Sequence, residues 1–212
     1  MESTENEPAP AARRHHGNRH RRSEEARISV LQAVDGLLVE IGYARLTIEG
    51  IAQRAGVSKQ TIYRWWSSKD ELLMDAFSKD ASDWMIPSDT GRLRDDLRAH
   101  AQRVAEFMAN SDAGAVFRAL LAQAQHDGDL AERLRSEFLV EQKTYERLPL
   151  EAALQRGELP QNADPDLLAA QVFGPIYYRV LVSGETVTPA FIDALVDLTL
   201  ANTVASGSRP GS

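Results

Sequence analysis

"LTIEGIAQRAGVSKQTIYRWWSSKDELL", residues 46–73, is punctuated three times by a hydroxyl residue standing just ahead of a helix-forming run. Thr47 is placed to cap a short helix whose Ile51 faces inward, and "RAGV" at 54–57 closes it with Gly56 in the turn. Ser58 caps a second helix, expected to run through Trp65 or Trp66. Ser68 and Glu71 then form an S-x-x-E capping box ahead of Leu72, Leu73, Ala76 and Phe77. A short helix, a glycine turn and a second short helix make a helix-turn-helix, whose second helix can enter the major groove of DNA. At roughly 100° per residue, Ile62 and Trp66 share the face turned to the core, while Gln60 with Arg64 and Lys59 with Tyr63 lie outside.

The outer residues divide by chemistry. Thr47, Thr61, Tyr63 and Lys69 suit phosphate oxygens, which fix register without reading sequence. Lys59, Gln60 and Arg64 can read base edges: Lys or Arg matches guanine O6/N7 and Gln matches adenine N6/N7. Trp65 carries only a donor, so its indole can meet a phosphate or its ring can cover the edge of the small domain.

Residues 24–77 resemble the DNA-binding domain of the tetracycline-repressor (TetR) family of bacterial transcription regulators, through the capping Thr, the IA-x-x-AGVS turn, the T-I-Y triplet, two aromatics and a following lysine. The resemblance implies that Thr47, Thr61, Tyr63, Trp65 and Lys69 hold phosphates and that Gln60 and its neighbours face bases. The pair Trp65–Trp66 departs from the family's usual His or Tyr followed by Phe. The resemblance further implies a repressor that binds a palindromic double-stranded operator as a homodimer and is released by a small organic effector.

Outward from this motif the chain reads as all-α. Residues 1–22 have almost no large apolar side chains and are expected to be a disordered basic arm, which either contacts DNA or only solubilises the chain. A first helix starts at Ser23, carries Leu31, Val34, Leu38 and Ile41 at helical spacing and stops at Gly42, completing a helix-turn-helix domain over 23–69. Residues 70–86 form a connecting helix, with Leu73, Phe77 and Trp84 able to pack on a larger domain. That larger helical domain spans residues 87–205, regulatory and dimerising by the resemblance, and 206–212 are a disordered tail. Within the larger domain, a long helix from Asp129 to the "RGELP" stop is expected to bend near Pro149, and Asp164-Pro165 and Thr188-Pro189 each start a helix. The last two helices, 166–183 and 189–205, carry more apolar surface than one partner can cover and are expected to pair with a second copy as a four-helix bundle.

The net charge of −7 conceals a polarity: residues 1–12 carry −3, residues 13–69 carry +6 from eleven Lys/Arg against five Asp/Glu, and residues 70–212 carry −10. A basic part that meets a polyanion, joined to an acidic remainder, fits this distribution. With no cysteine, disulfides, thiolate metal sites and cysteine nucleophiles are excluded. No nucleophile with its base, glycine-rich phosphate loop, cofactor motif or metal-ligand spacing stands out, so neither an enzyme nor a metal or cofactor is expected. His15, His16 and His20 sit in the arm without fixed geometry. No signal-peptide or membrane-spanning run occurs, which makes a cytoplasmic protein the expectation. Phe107, Met108, Phe117, Leu121 and Tyr178 are candidates to line an effector cavity, although apolar residues at helical spacing read equally as plain core. The rival function is a helix-turn-helix used for protein contacts without a small-molecule effector.

Overall fold

The computed structural model describes residues 17–207, apart from the side chains of 17–20, 44, 78–85, 202 and 204–207. Most of the expected arm, with His15, His16 and the side chain of His20, therefore lies outside the described residues, as do the side chain of Trp84 and residues 208–212. Among the described residues ten α-helices succeed one another: α1 (Gly17–Ile41), α2 (Ile48–Ala55), α3 (Lys59–Tyr63), α4 (Lys69–Met85), α5 (Leu93–Asn110), α6 (Asp112–Ala124), α7 (Gly128–Arg133), α8 (Val140–Arg156), α9 (Pro165–Tyr178) and α10 (Pro189–Gly207). No strand occurs among them.

The local signals act where the sequence places them. Thr47 Oγ1 accepts from the Gly50 N–H, Ser58 Oγ from Thr61 and Ser68 Oγ from Glu71, each at 3.1 Å. Gly56 ends α2 at φ +68°, a left-handed conformation that favours glycine. Asp164 Oδ1 accepts from Asp166 N–H at 2.9 Å ahead of Pro165, and Thr188 Oγ1 from Phe191 N–H at 3.2 Å ahead of Pro189. The box at Ser68 closes one residue early, because Glu71 Oε2 accepts from the N–H and hydroxyl of Ser67, at 2.7 and 2.6 Å.

Several boundaries differ from expectation for physical reasons. Helix α1 starts at Gly17, six residues ahead of Ser23; residues 18–22 hold no proline or β-branched residue, and Arg21 pairs with Glu25 one turn on at 3.0 Å. Helix α3 closes at Tyr63 rather than at a tryptophan, because the N–H groups of Trp65 and Trp66 both turn back to the Ile62 carbonyl, at 2.9 and 3.0 Å. Pro149 is an interior, buried residue of α8, and the irregularity lies upstream in π-helical turns at Leu134–Leu139. A second π-helical segment, Arg179–Ser183, succeeds α9.

The core of the small domain is Val30, Leu31, Val34, Leu38, Ile51, Ile62 and Trp66, all buried. It is continuous with that of the larger domain, because α1 and α4 both pack on α6. There Phe77 of α4 stacks on Phe117 of α6, ring centroids 5.1 Å apart and 11° between planes, and meets Phe138 edge-on at 4.2 Å. At the α5–α6 corner Gly114 leaves room for the Phe107 carbonyl, which a β-carbon would overlap.

Candidate nucleic-acid interface and interior cavity

The two sides of α3 do different work. Ile62 is fully buried and Trp66 nearly so, and the Trp66 Nε1–H donates to Asp75 Oδ2 on α4 at 2.9 Å. Asp75 also accepts from Arg27 Nη2 of α1, at 2.7 and 3.0 Å on its two oxygens. One carboxylate thus joins the first helix, the exit of the recognition helix and the connecting helix. Asp75, read only as part of α4 from the sequence, is a positioning residue of this interface. Its partners are 9 and 48 residues away, which helical spacing cannot reveal.

On the outer side Lys59, Gln60, Tyr63 and Arg64 are all exposed. Lys59 Nζ lies 2.6 Å from Glu49 Oε1 on α2, and that hydrogen bond lifts the lysine pKa and lowers the glutamate's. The Arg64 guanidinium stands 4.9 Å above the Trp65 ring and donates to Ser23 Oγ at 3.3 Å. The half-buried Trp65 ring packs edge-on against Trp66, centroids 5.6 Å apart. Of the hydroxyls, Thr47 caps α2, and Thr61 shares a 2.9 Å bond with Ser58. Lys69 is half-buried, with its ammonium 3.7 Å over the Tyr43 ring and 3.4 Å from the Leu46 carbonyl. Tyr43 is held in turn by donating to Asp70 Oδ1 at 2.9 Å, and burial, then that bond, pushes its pKa up to about 12. Of the eight candidates, Thr47 caps α2, Lys59, Gln60, Thr61 and Tyr63 lie on α3, Arg64 and Trp65 follow it, and Lys69 opens α4.

The aromatic and apolar candidates separate. Phe117 and Leu121 line a cavity of about 330 Å³ among α6, α8 and α9, with Leu139, Gln142, Glu146, Tyr177 and others. Phe107 and Met108, by contrast, are fully buried in the closed core and line none of the cavities described. Tyr178 is 58% exposed. Its neighbour Tyr177 reaches the cavity instead, since one step of roughly 100° along α9 carries a side chain from solvent to the interior. A larger cleft of about 730 Å³ between the end of α5 and residues 184–192 is lined by Gln102, Glu106, Asn110, Arg118 and Glu185 among others, and by none of the candidates.

The cavity has a polar end that sequence reading missed. Glu146 is 7% exposed, and its Oε1 accepts from the Tyr177 hydroxyl at 2.5 Å and from Gln142 Nε2 at 3.1 Å. Gln142 Nε2 also donates to the Tyr177 oxygen. Burial raises the Glu146 pKa to about 7 against the opposing pull of the Tyr177 bond and Lys143, and burial beside Glu146 raises the tyrosine well above its ordinary value.

Two family profiles cover most of the chain: "Bacterial regulatory proteins, tetR family" over residues 30–76 and "Tetracyclin repressor-like, C-terminal domain" over residues 87–199. The chain belongs to the TetR family. Among TetR-family relatives it is similar to an "Uncharacterized HTH-type transcriptional regulator YdeS" of Bacillus subtilis, 37% identical over 175 residues that span 82% of this chain and 88% of the relative. It is also similar to the "DNA-binding transcriptional repressor TetR" of Mycobacteroides abscessus, 29% identical over 191 residues, 89% of this chain and 98% of that one. The solved TetR family transcription regulator SCO0332 is 34% identical, with a TM-score of 0.69, and the match covers 88% of this chain and all of that one. This TetR-family chain is accordingly a DNA-binding, helix-turn-helix regulator of transcription. Among the described residues no helix is long and apolar enough to cross a membrane, and no group of three or more His, Cys, Asp or Glu could hold a metal ion.

Proposed function

We propose that the chain represses transcription as a two-fold dimer on a pseudo-palindromic operator and is released when a small, largely apolar molecule fills the cavity among α6, α8 and α9. The observation that carries this reading is the stack of Phe117, a wall of that cavity, on Phe77 of α4. Two residues before Phe77 on the same helix, Asp75 holds Trp66 at the exit of the recognition helix. A ligand that displaces Phe117 therefore pushes on the element that aims α3. Release needs two states with different spacing between recognition helices, because only one matches successive major grooves roughly 34–36 Å apart. Reversing a 1:99 population takes about 5.5 kcal/mol of differential affinity.

In this reading Lys59, Gln60 and Arg64 contact bases and Thr47, Thr61, Tyr63, Trp65 and Lys69 contact phosphates. The Lys59–Glu49 pair is exposed and exchanges readily for a guanine or a phosphate. Dimerisation is supported by an exposed stripe on α9 and its extension, Leu167, Gln171, Gly174, Tyr178, Leu181 and Val182, at successive helical turns. On α10 the exposed Ala190, Ala194, Leu198 and Ala201 leave room for close helix approach. On the same two helices Leu168, Val172, Ile176, Ile192, Val196 and Thr199 are buried within the protomer and lie outside that stripe.

The test is selection from random duplexes with the purified protein, followed by affinity measurements. An inverted repeat should emerge, and affinity for it should fall about 10³–10⁵-fold between roughly 50 and 200 mM salt, if six to ten phosphates are neutralised. Gln60→Ala or Arg64→Ala should relax preference at particular bases by about 1–3 kcal/mol. Leu167→Glu with Leu198→Glu should give folded monomers by sedimentation that bind weakly. No enriched sequence, or enrichment of single half-sites by a monomer, contradicts the reading.

A further inference from the structure

The polar end of the 330 Å³ cavity is formed by Gln142, Glu146 and Tyr177, whose acceptors outnumber the donors they offer one another. Both amide hydrogens of Gln142 are committed, to Glu146 Oε1 and to the Tyr177 oxygen, and the single Tyr177 proton goes to Glu146. Gln142 is only 4% exposed, and its Oε1 lies buried with no hydrogen-bond partner. A buried amide oxygen left in that state is destabilising, and an incoming donor removes the penalty. The amide turns its nitrogen to the carboxylate, which leaves its oxygen for another donor. The remaining wall is Phe117, Leu121, Leu139 and Leu181, with the exposed Lys143 beside them.

We propose that this cavity recognises an amphipathic cation: an apolar body seated against Phe117, Leu121, Leu139 and Leu181, and a protonated primary amine donating to the Glu146 carboxylate and to Gln142 Oε1. The proposal rests on the reading of this cavity as the effector site and names the chemical class of that effector. An ammonium offers three donors, enough for both acceptors, and its charge suits a carboxylate that has no cation of its own within the polar cluster. An alcohol of the same shape offers one donor. A carboxylate offers none when ionised and meets Glu146 as a like charge. Lys143, on the cavity lining but exposed, acts on Glu146 only through space and leaves the interior position open to the ligand. Tyr177 keeps its proton and continues to orient Glu146.

The probes are 4-phenylbutylamine, 4-phenylbutanol and 4-phenylbutyrate, which share one apolar body, titrated calorimetrically into the full chain at about pH 8, where the Glu146 carboxyl is mostly ionised. The amine should bind roughly tenfold or more tightly than the alcohol, since a hydrogen bond to a charged group outweighs a neutral one, and the carboxylate should bind weakest. In Glu146→Gln, checked for folding by circular dichroism, the amine and alcohol should come within about twofold of each other. Tyr177→Phe, which keeps the carboxylate, should retain the amine preference and covers the case in which Glu146→Gln fails to fold. Leu121→Trp, which fills the apolar end, should abolish binding of all three. Preference for the carboxylate, or an amine preference unchanged in Glu146→Gln, overturns the proposal while leaving the cavity as a ligand site. Binding of none of the probes overturns it together with the site. If the ranking holds but the amine leaves operator affinity unchanged, the site stands and the effector reading fails.

Discussion

Glu146 holds its proton far above the usual carboxylate range, to about 7, while His100 is pushed down to about 4, first by burial and then by the Arg103 charge. Both are buried, and His100 lies edge-on to Phe173 with neither ring nitrogen partnered. Their signs oppose. The unfolded chain releases the Glu146 proton from about pH 4.5 while the folded one holds it, so this contribution to stability is complete below 4.5 and lost as pH rises to about 7. The His100 contribution is present above 6.5 and lost as pH falls toward 4. The two slopes offset each other between about pH 4.5 and 6.5, each bounded by about 3 kcal/mol. Glu146→Gln should therefore steepen the loss of stability on the acid side, measured by urea denaturation across that range. Parallel profiles for the two proteins contradict this assignment. None of it was legible in the sequence: Glu146 and Tyr177 meet across 31 residues, and a Glu in a helix with exposed neighbours reads as a solvated face.

At the scale of elements, what the sequence revealed well was whatever is local. The caps at Thr47, Ser58, Ser68, Asp164 and Thr188 need only a hydroxyl or carboxylate two or three residues ahead of an N–H, and all five form. The inward positions of the recognition segment followed from periodicity alone: Ile62 on α3 and Trp66 just beyond its end are both buried. Less legible was which apolar helical residue faces a closed core and which a cavity, because the spacing is the same. Phe77 of α4 packs against both Phe107 and Phe117, yet only Phe117 also lines the cavity, and Tyr177 and Tyr178 differ in helix phase. The three-way junction at Asp75 is tertiary in the same sense, and it makes a prediction. Asp75→Ala strands the Trp66 N–H and leaves Arg27 only its pairing with Glu24, so stability should drop by about 1–3 kcal/mol in denaturant melts. The loosened recognition helix should bind all operator variants more weakly by a common factor. A change in base preference with stability intact places Asp75 in direct readout instead.

Over the whole molecule, a basic small domain carries the DNA surface and an acidic larger domain carries the cavity, and α1 and α4 both run from the first onto α6 of the second. In the proposed switch, displacement of Phe117 is passed to Phe77 and along the backbone of α4 to Asp75, which holds Trp66 at the exit of α3. The absence of cysteine from the sequence makes this directly measurable, since Gln53→Cys, exposed on α2, introduces a unique site for a spin label in each protomer of the proposed dimer. The decisive experiment is the label-to-label distance by pulsed electron paramagnetic resonance in two proteins: the labelled chain bound to its selected operator, and the same chain carrying Leu121→Trp to fill the cavity permanently. The account predicts a narrow distribution on operator and a displaced one in the filled protein, with operator affinity reduced to match. Identical distributions and undiminished affinity with the cavity filled would contradict it.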